Sequence, residues 1–286
     1  MSLKIKQLEK MKKLKLILVF AISLFANNLF AQGAYVNINA GYGLNMSSQN
    51  LNNLDYLDFN NSTSGINNSF TDEQVNVSLG KGLNVGGTFG YMFNKNIGAE
   101  LGISYLLGGK SKAKEIDKDV DEVRITDYTL SGKMLRINPS LVIVSGLDGI
   151  NPYAKFGLVI GSGSVMYESN DNDDGDIETM KMKLNGGLAF GLNAGVGALF
   201  NLSDKMSFFG EINMLNLSYA PTTGKVTEAT DNGIDELPDM TIRKKEIEFV
   251  DSYTWTNPVD SQPRLRLKQK LPFGSFGINF GLRIGF

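Results

Sequence analysis

The 286 residues include neither cysteine nor histidine, which excludes disulfides, thiolate metal sites, a cysteine nucleophile and a lipid-anchoring cysteine, and removes the commonest general base and metal ligand. Glycine is frequent at 32 and proline scarce at 7, a balance that argues for sheet with close backbone approach rather than disorder. The 28 Lys and Arg against 30 Asp and Glu give nucleic-acid binding no electrostatic support.

The first segment reads as a secretory signal. Lys4, Lys6, Lys10, Lys12, Lys13 and Lys15 precede an apolar run from Leu16 to Phe25, and the small residue Ala31 follows. The run is shorter than the roughly 20 residues a membrane-spanning helix needs. Cleavage after Ala31, with a start at Met1 or Met11, is the expectation. Residues 1–31 carry six of the 28 basic and one of the 30 acidic residues, so the remainder holds 22 against 29, a net of −7.

From Ala34 to Leu44, Val36, Ile38, Ala40, Tyr42 and Leu44 alternate with Asn37, Asn39, Gly41 and Gly43. This period of two is the mark of a strand. Residues 46–74, rich in Asn and Ser, read as a long loop. Leu83–Phe93 and Ile97–Leu107 alternate again, separated by the short turn Asn94-Lys95-Asn96. After a charged connection at 108–127, Tyr128–Val144 forms the fourth strand, in which Pro139 is a blemish because proline cannot donate to a ladder. Pro152–Val165 is the fifth and Met182–Phe200 the sixth, with the acidic loop 166–181 between them. Met206–Tyr219 is the seventh, with an apparent change of parity past Met214 that suggests a bulge. The connection 220–271 is the longest; its TIRKKEIEFVDSYTW and RLRLKQK stretches are too charged to face lipid, and extend strands above the membrane if they form strands at all.

The last strand, Gly274–Phe286, places Phe276, Ile278, Phe280, Leu282, Ile284 and Phe286 on one face and small or polar residues on the other. Its apolar face is unbroken over about the 9–11 residues that a tilted strand needs to cross a bilayer. Long connections alternate with short ones, as in barrels with outer loops and periplasmic turns. The expected fold is all-β, a closed antiparallel transmembrane β-barrel of eight strands over 32–286, preceded by the signal peptide 1–31. An even count lets the first and last strands pair and leaves no open edge.

The terminal Phe286 on its alternating strand, with NPYAKFGLVIG and GLAFGLNAGVGALF, resembles the small outer-membrane barrel family that includes the OmpA transmembrane domain and OmpX. The resemblance implies a position in the outer membrane with both termini periplasmic, lipid as the surrounding partner, and Phe286 as the signal read by the barrel-insertion machinery. It implies no cofactor and no catalytic constellation; the His-dependent enzymes of such membranes have no counterpart in a chain without His. The expected function is that of a noncatalytic barrel whose outer loops support the envelope or bind an extracellular or envelope partner, with a small porin-like channel as the alternative.

By parity Glu100, Arg136, Lys155, Glu211 and Arg283 point inward. They read either as a conduction pathway or, since eight strands leave an interior that side chains fill, as a plugging ion-pair network. Glu211 and Arg283, on adjacent strands, are expected to pair directly or through Lys155, Arg136 and Glu100. Tyr35, Tyr42, Tyr91, Phe93, Tyr105, Phe276 and Phe286 mostly suit the aromatic girdles at the membrane interfaces. Tyr253 and Trp255 either dock a partner or pack within their loop. The segment 170–181 partly fits a calcium loop but has Lys181 where a bidentate Glu belongs; a solvated anionic loop tip is the other reading, and no metal site is assigned.

Overall fold

The computed structural model describes residues 33–46, 49–50, 59, 61–65, 69–120, 122–255 and 257–286. The expected signal peptide lies outside them, as do parts of the first long connection.

Eight strands form the barrel: β1 (Ala34–Asn45), β2 (Gly82–Met92), β3 (Ile97–Gly108), β4 (Val123–Val144), β5 (Ile150–Asp173), β6 (Ala189–Ser203), β7 (Met206–Tyr219) and β8 (Ser275–Gly285). Each pairs antiparallel with the next, and β8 pairs with β1 from Tyr35–Gly285 to Asn45–Ser275. Closure leaves these strands no free edge. The three short connections share one end. At the first of them the Asn94 Oδ1 accepts from the backbone N–H groups of both Asn96 and Ile97 at 2.9 Å, the side-chain-to-backbone bonding that makes Asn a turn former.

Outward positions form a continuous apolar belt that includes Ile38, Phe89, Leu101, Ile137, Leu158, Phe190, Ile212 and Phe280, all exposed. Inward positions are sorted into three layers. Near the short turns Val142, Val144, Tyr153, Leu199 and Phe209 pack together with Met92. At the other end a larger cluster joins Leu106, Leu130, Met134, Val159, Leu215 and Leu217 with Phe59, Leu79 and Phe273 from the connections. Phe273 reaches across the interior: its ring lies edge-on to Tyr219 at 5.6 Å and against Gly132 on β4. Between the apolar layers lies a polar one.

These layers explain two departures from the sequence reading. No bulge follows Met214, for β7 keeps one register with β6 from Phe190–Ser218 to Asn201–Ser207. The parity only seemed to change because Leu215, Leu217 and Tyr219 are inward and buried in the upper apolar layer. The run Met182–Phe200 is likewise not one strand. Gly186 and Gly187 have φ of 81° and 74°, a conformation glycine adopts without penalty, and they separate Asp176–Asn185 from β6. Leu184, which a single strand over Met182–Phe200 would place on the outward face with Leu188 and Phe190, is fully buried. Pro139 stays inside β4: paired residues step from Gly157–Ser140 to Ile160–Ile137 without a change of register, so the missing N–H interrupts the ladder and leaves the strand intact.

The long connections are more ordered than loops. β4 and β5 have 22 and 24 residues, or roughly 70–80 Å at ~3.3 Å per residue, far beyond a bilayer. Their upper halves continue as a collar. Ser111–Lys118 pairs with β4, Asp176–Asn185 with β5, and Thr223–Asp231 with Asp176–Asn185. Glu246–Val250 then pairs with Thr223–Lys225 and, in parallel, with Arg264–Leu267. The TIRKKEIEFVDSYTW stretch thus contributes a strand to the collar, entered through a helical turn, Ile242–Lys245, that Thr241 caps.

Candidate functional site: the filled lumen and the collar

All five charged residues assigned inward by parity line or enter the polar layer, held there by five different strands. Arg283 on β8 reaches Glu100 on β3, Nη2 to Oε1, at 3.1 Å, and its Nε donates to Asn37 Oδ1 at 3.0 Å. Its guanidinium lies 3.8 Å over the Tyr35 ring, a stacking geometry available to Arg and not to Lys. Glu100 accepts further from Tyr35 OH at 2.8 Å and Asn37 Nδ2 at 3.4 Å. A second unit joins Lys155 Nζ to Glu211 Oε2 at 2.6 Å. Glu211 also accepts from Tyr153 OH at 2.9 Å and Asn279 Nδ2 at 3.3 Å. Each carboxylate thus meets one cation and two further donors, as buried charges require, those of Glu100 all converging on Oε1.

Glu211 and Arg283 do not bond to each other. Glu211 stands opposite Asn279 and Arg283 opposite Ser207, an offset of four residues and roughly 13 Å along the strand, so each takes a partner from elsewhere on the circumference. Arg136 stands apart from both units. Only 2% exposed, it donates through Nη2 to Asn84 Oδ1, while Nε and Nη1 have no partner among the described residues. The layer lines a cavity of about 50 Å³, bordered by Glu100, Lys155 and Glu211 as well as Arg136, Asn84 and Asn193.

The aromatic residues divide. Tyr42, Phe93, Tyr105, Phe276 and Phe286 are outward and exposed, and Tyr91 packs on Phe93 at 5.8 Å. Tyr35 is an exception to the girdle reading, buried in the lumen and bonded to Glu100. Tyr35, Asn37, Tyr153 and Asn279 were missed as partners although they share the inward parity of the charges; that parity was the available signal. Phe286 donates its backbone N–H to Ala34 O at 3.0 Å. Tyr253 and Trp255 lie beyond the collar strands, Trp255 at 72% exposed, so packing within the loop does not cover it.

The 170–181 segment is a hairpin rather than a cation-cradling loop. Asp173 faces Asp176 across a two-residue turn in which Asp174 and Gly175 have φ of 49° and 106°, the positive values that two-residue hairpins favour. Asp171 is occupied by Arg124, whose Nε lies 2.8 Å from Oδ2, and by Thr126 Oγ1 at 2.8 Å. The Arg124 hydrogen bonds hold the Asp171 carboxyl below the usual carboxylate range, against the opposing effect of burial. Lys181 bonds Glu228 at 2.8 Å, which raises the ammonium pKa. Among the described residues no group of three acidic side chains is placed to hold a metal ion.

A closed antiparallel barrel with an apolar exterior and a polar, filled interior defines an integral outer-membrane β-barrel protein. The family model described as outer membrane protein beta-barrel domain matches residues 16–237, and the chain belongs to that family. Among solved structures it is similar to CarO2 of Acinetobacter baumannii, at 12% identity and a TM-score of 0.30, covering 88% of this chain and 99% of that one. It is also similar to Ail, the attachment invasion locus protein of Yersinia pestis, at 10% identity and a TM-score of 0.27, covering 88% and 97%. A search of curated proteins finds no match.

Proposed function

We propose that this protein is a noncatalytic outer-membrane barrel with a closed lumen, and that its collar is the working part, displayed outside the cell to brace the envelope or bind a partner there. The observation that carries this reading is the division of labour along the strands. Within the belt two apolar layers occupy the interior on either side of a small cavity, an arrangement suited to anchoring rather than transport. Beyond it β4 and β5 continue as a ladder that recruits at least five further chain segments, far more structure than anchoring requires. The lack of His and Cys supports the noncatalytic assignment. The alternative, a small porin-like channel, has the lumen charges in its favour, but four of the five are committed to the pairs Glu100–Arg283 and Lys155–Glu211, which supports the filled reading.

In this reading both termini and the short turns are periplasmic, and Phe286 closes the strand presented to the insertion machinery. The absence of native cysteine makes the topology directly measurable. Asp119→Cys in the collar is expected to react with a membrane-impermeant maleimide on intact cells, and Asp148→Cys in a short turn only after the outer membrane is opened. The reverse pattern overturns the orientation. Crosslinking from Trp255 or Tyr253 positions on intact cells would then identify a partner, if the collar has one.

A further inference from the structure

The polar layer holds two carboxylates, Glu100 and Glu211, and three cations, Arg136, Lys155 and Arg283. Glu100 is committed to Arg283 and Glu211 to Lys155, each with hydroxyl and amide donors besides. Arg136 is left over. It is the largest fully buried side chain among the described residues, and no ion pair among them includes it. A guanidinium stays charged in proteins, so it cannot escape the cost of burial by losing a proton, as a lysine can. A buried charge needs a counter-charge nearby.

The geometry points to a small monovalent anion of the chloride class, bound in the lumen cavity against Arg136. Nε and Nη1 are guanidinium nitrogens without a partner among the described residues, and Arg136 lines, with Asn84, Asn138 and Asn193 and with the paired Glu100, Glu211 and Lys155, a cavity of about 50 Å³, room for roughly three or four water-sized species. Asn138 and Asn193 on the same cavity have buried Oδ1 atoms without partners. Amide oxygen and nitrogen are interchangeable by a half-turn, which would turn these two unpartnered acceptors into donors. Phosphate or sulfate would overshoot the single unpaired charge and crowd the cavity. The apolar layers above and below mean that the ion enters as the barrel closes and exchanges slowly afterwards.

The test refolds the protein from urea into detergent at constant ionic strength, with chloride or bromide replacing gluconate. Once halide exceeds the dissociation constant of the site, the unfolding equilibrium constant is expected to fall about tenfold for each tenfold rise in halide. Crystals grown in bromide should show an anomalous peak beside Arg136 Nε and Nη1. Arg136→Met removes the donors and keeps the length of the side chain; Asn84→Asp places a carboxylate where Arg136 already bonds. Both are expected to fold, and to lose the halide dependence and the peak. Halide-independent stability of the parent, a cavity that holds water only, or halide dependence that survives in either variant overturns the proposal.

Discussion

Lys155 Nζ and Glu211 Oε2 meet at 2.6 Å across a strand to which neither belongs. Lys155 is on β5 and Glu211 on β7, and the bridge passes over Gly195 of β6, where a Cβ would stand 3.2 Å from both Lys155 Cε and Glu211 Cδ. Glycine leaves the space through which strands two apart exchange charge. Gly195→Ala is therefore expected to cost little, about 1 kcal/mol, and Gly195→Leu about 3–5 kcal/mol, because the larger side chain pushes the pair apart. Urea unfolding followed by the gel-mobility difference between folded and unfolded barrel checks the order; equal stabilities would show that the bridge does not run over this residue.

The Glu211 series separates charge from shape. Glu211→Ala leaves Lys155 buried without its partner and is expected to destabilise by about 3–5 kcal/mol. Glu211→Gln costs less, since an amide oxygen still accepts from Tyr153. Lys155→Met combined with Glu211→Leu is expected to regain most of the loss, as replacing both members of a buried pair by apolar groups often does. A double-mutant cycle with no coupling would contradict the pairing.

Planar bilayers test the lumen. The purified protein should give no steady conductance, and Glu100→Ala or Arg136→Ala should not create one, because the apolar layers that include Leu217, Phe273, Val142 and Phe209 remain. Reproducible channels in the parent, altered by either substitution, would favour the porin-like alternative.

The collar should respond to acid through Asp171. Its folded pKa lies below the unfolded value, which is about 3.9 for aspartate. The stabilisation is thus fully present above that unfolded value and is lost as pH falls through the lower, folded one. The protection of the 123–131 and 164–181 strands, read as amide exchange relative to the unfolded-chain rate at the same pH, is expected to stay constant from neutrality down to about pH 4 and to fall below it. In Arg124→Met that acid step should shrink; an unchanged step would assign it to other carboxylates.

Much of this architecture could be read from parity alone. The outward side chains of β1, β2, β3 and β8 form an uninterrupted alternation, and turn and connection lengths set the two ends apart. Parity failed where the two faces of a strand exchange character, as at Leu215 and Leu217, which are buried in the interior while Asn216 and Ser218 between them are outward and exposed, since a filled lumen and a lipid-facing exterior use the same apolar residues. It failed again at Leu184, where two glycines reset the strand. For the charges, alternation tells which side of the sheet a residue occupies but not its height or its place on the circumference. Hence Glu100, Arg136, Lys155, Glu211 and Arg283 could be assigned inward, while the partnerships of Arg283 with Glu100 and Lys155 with Glu211 could not be read. The collar strands were hidden by their charge: Lys181 with Glu228 and Lys225 with Glu246 are cross-strand pairs on a wetted sheet, and their sequence resembles solvated loop.

The seam between β1 and β8 also sets the order of assembly. Ala34 accepts its hydrogen bond from Phe286, so this ladder joins opposite extremes of the polypeptide and has a very high contact order. Until the eighth strand is translated, the first has only one of its two neighbours, and six of the other strands can zip together without completing the circle. A ribosome-bound fragment lacking that strand would present two sticky margins, each able to recruit β-structure from another molecule. Barrel closure therefore waits for the last strand, and the two margins need to be kept from other chains until it forms.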